Sequence, residues 1–336
     1  MFFGMVGTII TFTIIACFAG FFNEIPYIMP TKLKITDILM LSCILSATDT
    51  VAALSLVKES RYPKLNSILF GEGIMNDAVS ILIFRSVKNY MVASTFDEFG
   101  LKAILLLIME FGYLLVMSVF IGMFFGLAIT IIFKKCGSFK GFPIRETSFM
   151  ILIAYLSYQV AEICKLSGII SLFVCGIIMA HYTFHNLSEE SQKGTVLAFD
   201  TVGYLAEALV FAYLGLTVFW IDTKEFHALF IVLMMLVLAF ARFISIFLLP
   251  CLLFLLKKNL KIHSKELKII WYSGLIRGAI AFALCFHVET PNKKTIIATT
   301  ISIVLITTFI LSTLLQSFAA YIGLDNDQNN KSVIFL

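Results

Sequence analysis

Apolar residues run through this chain in stretches of roughly 20 or more, separated by short polar segments. A bilayer's hydrocarbon core takes about 20 helical residues, so each long run predicts a membrane span. Ten follow, at about 1–22, 37–57, 66–88, 101–133, 146–164, 168–182, 195–219, 226–256, 266–288 and 293–322. The fourth extends over about 33 residues, roughly 50 Å, and should tilt strongly or overhang the bilayer. Within it Gly122 and Gly126 stand in a GxxxG spacing, which favours close packing against another helix. The predicted class is all-α: a polytopic membrane protein with one membrane domain over 1–322 and a short polar tail, including DNDQNNKS, over 323–336.

Polar residues inside three of these spans break the pattern. Glu72, Asn76 and Asp77 interrupt the run 66–88 (GEGIMND), Asp49 lies in SATDT (Ser46 to Thr50), and Arg277 lies in SGLIRGAIAF. An acid near a bilayer centre costs roughly 2.5–3.5 kcal/mol even on the mild insertion scale, so its default reading is functional.

Ser46, Thr48, Asp49 and Thr50 can all hydrogen-bond their own backbone, which favours a broken helix at this point. Broken helices near the midplane are how many transporters present carbonyls and half-helix ends to an ion. At 100° per residue Glu72 and Asn76 share a helix face, whereas Asp77 lies about 140° round from Glu72. The two acids should therefore meet different neighbours. Asp77 is the candidate reversible site, one carboxylate able to hold either a metal cation or a proton. Glu72, flanked by Gly71 and Gly73, reads as the fixed half of an ion pair. Arg277 cannot shed its charge and needs a permanent anion, Glu72 by first choice and Asp49 by second. Glu162 reads equally as an accessory site residue and as a surface partner of Lys165. Glu110 and Arg242 read as helix-packing or interfacial groups.

Composition agrees and excludes much else. The chain is 60% hydrophobic and only 14% charged, against about 25% charged in soluble domains. Its net charge of +4 is dispersed, with no basic block for nucleic acid. The apolar N-terminus lacks the charged start of a signal peptide and reads as a first span. Seven cysteines, scattered singly, read as small buried side chains. His181 and His185 can share a helix face, but a third metal ligand is not evident. No phosphate loop, nucleophile elbow or HExxH motif is present, so neither an enzyme nor a cofactor is expected. Lys and Arg number about fourteen in one set of alternate loops and about nine in the other. That bias predicts both termini in the cytosol, with the Asn186 and Asn330 sequons unglycosylated there.

SATDTVAALSL followed by LFGEGIMNDAVSILIF closely resembles the monovalent cation/proton antiporters of the sodium/proton exchanger family. AYLSYQVAEICKLSGIISLFVCGIIMAHYTFHNLSEESQ, YLAEALVFAYLGLTVF and GLIRGAIAFAL match later family blocks in order. GEG and HYTFHN look most like the vacuolar or endosomal branch. The resemblance implies an inverted-repeat fold in which two broken helices cross near the midplane, here the spans holding Asp49 and Arg277. It implies that Asp77 carries the exchanged Na⁺ or K⁺, assisted by Asn76, Asp49 and Thr48, with Ser46 and Glu162 as possible accessories, and that Glu72 pairs with Arg277. Asn76-Asp77 in place of two aspartates implies an electroneutral one-for-one swap, and relatives of this kind act as homodimers by alternating access. Thr50 stands where many members have proline. The likeness starts at the family's fourth span, so three preceding spans and a long cytosolic tail are expected to be missing. A shortened, non-transporting partner of a full-length exchanger and a cation channel are the competing readings.

Overall fold

A computed structural model describes residues 2–29, 32–57, 61–93, 101–135, 141–220, 225–255 and 263–322; the polar tail lies outside these residues. Every regular element among them is helical. In chain order they are α1 (Phe2–Asn23), α2 (Ile35–Ser46), α3 (Val51–Leu56), α4 (Pro63–Ala93), α5 (Leu101–Lys135), α6 (Pro143–Ile163) and α7 (Gly168–Ile178). A π turn (Met179–Thr183) and a 3₁₀ turn (Phe184–Asn186) lead into α8 (Glu189–Val218). Then come α9 (Ala228–Leu255), α10 (Ser264–Ser273), α11 (Ala279–Phe286), α12 (Lys293–Ile306), a second π turn (Thr307–Leu311) and α13 (Ser312–Ile322).

Eight helices among the described residues are long and apolar enough to cross a membrane, and each overlies a predicted span. The other two predictions fall on α6 and on the pair α10/α11. Arg145, Glu146 and Glu162 dilute the apolar character of α6, and the second pair is divided by a break at 274–278. Two starts have a plain local cause: proline opens both α4 and α6, where its missing N–H is one the helix leaves unbonded anyway.

The chain divides into two compact units, Met1–Ile81 with Leu214–Leu336, and Leu82–Tyr213. In the first, α1 lies against α2 and α9, and α11 and α12 lie against α2. An apolar cluster including Leu65, Leu69, Ile246, Ile270, Ile276 and Leu315 fills part of its interior. In the second, α5, α6 and α7 pack around Ile129, Phe133, Met150 and Cys175. Gly122 and Gly126 do serve packing: a Cβ on either would strike α7, at Val174 and Ile178 respectively, 2.9 and 2.8 Å away. In a bilayer such contacts displace lipid tails rather than water, so close fit and interhelical hydrogen bonds decide the arrangement. Ser157–Ser171 and Thr130–Thr183, each 2.8 Å between hydroxyls, are bonds of that kind.

Burial separates the cysteines more than expected. Cys43, Cys175 and Cys285 are buried, but Cys17 and Cys164 are exposed, so the prediction of buried side chains fails for those two. Each lies on a helix face or end that the protein leaves uncovered.

Candidate functional site

The first unit contains two broken helices that meet at their breaks. Helix α2 stops at Ser46, with Ala47 already extended (φ −63°, ψ 133°), and α3 restarts at Val51. Hydroxyls and the acid account for the interruption, as the sequence suggests. The Ser46 hydroxyl donates to the Cys43 carbonyl (2.7 Å) and meets that of Ser80 on α4 (2.9 Å). Asp49 Oδ1 accepts the Val51 N–H (3.0 Å), one of the unbonded donors at the start of α3. The second break runs from Gly274, the last cap of α10, to Gly278, the first cap of α11.

Each break completes the other. The Asp49 N–H donates to the Ile276 carbonyl (2.9 Å). Arg277, fully buried, donates through Nη1 to the carbonyls of Ser46 (3.1 Å) and Ala47 (2.7 Å). Those carbonyls lie at the end of α2, where the partial charge is negative, so the guanidinium is well placed. A Cβ on residue 278 would collide with the Asp49 carboxyl, so glycine there lets the acid approach the start of α11, the positive end of that half-helix. The arginine therefore serves the C-terminal end of α2, and the aspartate the N-terminal ends of α3 and α11.

Helix α4 brings Asn76 and Asp77 to this junction. Asn76 is buried and saturated: Nδ2 donates to Thr8 Oγ1 and the Ser46 carbonyl (3.1 Å), while Oδ1 accepts from the Thr48 N–H (3.0 Å) and hydroxyl. The amide orientation follows from those partners. Asn76 thus ties α4 to the first break, and Thr8 on α1, which carried no signal in the sequence beyond an ordinary intramembrane hydroxyl, joins the network. Asp77 is different. It is half-buried and within electrostatic reach of Asp49 and Arg277, yet its carboxyl has no hydrogen-bonding or ion-pair partner among the described residues.

The pairing of Glu72 with Arg277 is not formed. Glu72 Oε1 instead accepts from Arg242 Nη2 on α9, both side chains being almost completely buried. Periodicity correctly separates the faces of Glu72 and Asp77, but it cannot say which arginine lies opposite. Arg277 is held by backbone carbonyls in its own junction, whereas Arg242 crosses from α9 and fills the space left at Gly274, where a Cβ would strike its guanidinium. Arg242 accordingly ties α9 to α4 as a buried helix-packing charge, not an interfacial one.

Gly73 faces Thr50 across the first break. A Cβ on residue 73 would meet the Thr50 hydroxyl, and would lie 3.2 Å from its Cβ and 3.3 Å from its Cγ2. Gly73→Ala should therefore cost about 1–3 kcal/mol through overpacking, read as a lower melting temperature in detergent. Thr50→Ala in the same chain should recover most of it, since it removes two of the three clashing atoms and the hydroxyl caps no helix N–H. Equal melting of Gly73→Ala and wild type would refute the contact.

In the second unit, Glu162 pairs with Arg85 rather than Lys165, and Arg85 also donates to the Leu166 carbonyl. Gly168 donates to the same carboxylate (3.2 Å), so Glu162 closes the start of α7. Glu110 accepts from Asn89 (3.0 Å). His181 falls in the π turn and His185 in the 3₁₀ turn, so the regular helix face expected for them is lost; both are exposed.

Two broken helices stitched at their breaks, with a carboxyl beside them that has no partner among the described residues, define the core of an all-helical membrane domain. The fold is similar to that of the sodium proton antiporter MjNhaP1 from Methanocaldococcus jannaschii, with a TM-score of 0.69, 20% identity, and 96% of this chain and 77% of the other covered. The chain belongs to the sodium/hydrogen exchanger transmembrane family, whose profile matches residues 1–320. It is 36% identical over 326 residues to sodium/hydrogen exchanger 1 of Oryza sativa, covering 92% of this chain and 59% of that one. It is 35% identical over 284 residues to sodium/hydrogen exchanger 8 of Homo sapiens, covering 84% and 48%. The chain thus spans about three fifths of the rice relative and half of the human one.

Proposed function

We propose that this membrane protein exchanges Na⁺ or K⁺ for H⁺, with Asp77 holding either the cation or the proton. The observation that carries the reading is the state of the Asp77 carboxyl: half-buried, beside two helix breaks, and bonded to no protein group among the described residues. A carboxylate locked to an arginine has no vacancy for a cation, and one open to bulk water has no selectivity. Asp77 is neither. Asp49 contributes a second negative charge nearby, and Thr48 is held in place by Asn76. The names of the similar proteins, sodium/hydrogen exchangers and a sodium proton antiporter, agree with this substrate pair. One titrating acid beside a neutral amide favours a one-for-one, electroneutral swap by alternating access. Membership of the vacuolar or endosomal branch, cytosolic termini and a homodimeric assembly complete the reading.

The test is transport in proteoliposomes. With an acidic interior, radioactive sodium or potassium should accumulate inside, and the membrane potential should not change the rate. Current without proton coupling would establish a channel instead. Absence of flux alone and in the presence of ionophores would refute exchange by this chain.

A further inference from the structure

Breaking a helix inside a membrane strands backbone donors and acceptors, and each must find a partner because lipid offers none. At the second break the partners can be traced. The N–H groups of Leu275 and Ile276 fold back to Tyr272 (3.0 Å) and Ser273 (3.2 Å), and the Ile276 carbonyl accepts from Asp49. The N–H of Arg277 reaches neither its own helix nor the first break. It donates to the hydroxyl of Thr307, 3.1 Å away and fully buried.

Thr307 is the first residue of the π turn that separates α12 from α13. A π turn carries one residue more than an α turn, which rotates the side chains beyond it by about 100° relative to an unbroken helix. Its hydroxyl proton goes to the Ile303 carbonyl (2.8 Å), which leaves an oxygen lone pair for Arg277. The neighbouring hydroxyls show that this is not what threonine does here by default. Thr299, Ser302, Thr308 and Thr313 donate to carbonyls of their own helix and bond to no other element among the described residues.

We propose that Thr307 is a positioning residue for ion exchange: presented by the π turn, its hydroxyl accepts the Arg277 N–H and so fixes the break that faces Asp49 and Asp77. The proposal rests on the transport reading above, but its structural part does not. Arg277 holds the end of α2 through Nη1, so an arginine displaced along its backbone would release the Ser46 and Ala47 carbonyls together. Thr307 acts through Arg277 and touches no transported ion.

Four chains decide the matter: wild type, Thr307→Val, Thr307→Ser and Thr308→Val. Valine keeps the shape of threonine and removes the acceptor; serine keeps the acceptor; the substitution at 308 alters the same π turn without touching the break. Deuterium uptake by peptides covering 274–286 should rise in Thr307→Val, return to wild type in Thr307→Ser, and stay at wild type in Thr308→Val. In proteoliposomes the apparent KM for sodium should rise roughly three- to tenfold in Thr307→Val alone, the range expected from one lost hydrogen bond. Unchanged uptake in Thr307→Val, or equal loosening in Thr308→Val, overturns the proposal, as does faster uptake with an unaltered KM. If the wild-type chain itself moves no cation, the transport reading fails, and with it the role in exchange; the deuterium experiment still decides whether Thr307 holds the break.

Discussion

Asp77→Ala and Asp77→Asn should abolish the proposed proton-coupled cation flux while leaving the protein as stable as the wild type, or more so. The two halves of that expectation have separate causes. Flux should be lost because no other residue of α4 supplies an acid without a fixed role: Glu72 is consumed by Arg242, and Asn76 is neutral and saturated. Asp49 cannot replace it, since one of its oxygens already holds the Val51 N–H and its carboxyl packs on Gly278. Stability should survive because the Asp77 carboxyl gives up no hydrogen bond to the described residues when removed, and a partly buried charge is costly to keep. Functional groups commonly stand at such cost to the fold. The measurement is flux and thermal melting on the same purified samples. Retained flux in Asp77→Ala would remove Asp77 from the mechanism. Lost flux together with a melting temperature lowered as far as in Glu72 variants would show that Asp77 is a structural residue instead.

The spans were legible because lipid imposes one requirement along the whole chain, about 20 apolar residues per crossing. The first break was legible for a local reason: Ser46, Thr48, Asp49 and Thr50 can all compete for backbone bonds within five residues, and Ser46 and Asp49 do so. The second was not legible from its own residues. Gly274 and Gly278 flank Arg277, but glycines also permit tight helix packing, and only the likeness to exchangers implied a break. Partner choice was least legible. The face of Glu72 follows from its spacing, but whether Arg242 or Arg277 meets it depends on how α9 and α10 stand beside α4, which is a property of tertiary packing. Thr8 and Thr307 failed for a related reason. A span hydroxyl usually bonds to the carbonyl four residues before it, and these two do so while also reaching another helix.

Removing either member of the Glu72–Arg242 pair should be the most destabilising single change in the first unit. Both side chains are withdrawn from solvent, with exposures of 0% and 1%, so loss of one leaves the other's charge unanswered. The penalty for such a stranded charge is about 3–5 kcal/mol, against about 0.6 kcal/mol for an average interhelical hydrogen bond in a membrane. Glu72→Gln and Arg242→Gln should each lower the melting temperature and the yield of folded protein sharply. The double variant should be less damaged than the sum of the two, because neither charge then remains. Substitutions at Glu72 and Arg277 should instead add, since those two residues share no bond: Arg277 spends Nη1 on the carbonyls of Ser46 and Ala47. Strong coupling between 72 and 277, with additivity between 72 and 242, would reverse the assignment and restore the pairing that the family likeness implied. The pair also gives Glu72 a fixed structural partner, which separates it from Asp77, five residues on, in the proposed exchange. A carboxylate whose oxygen is taken up by an arginine has less room to bind a cation than one with no protein partner.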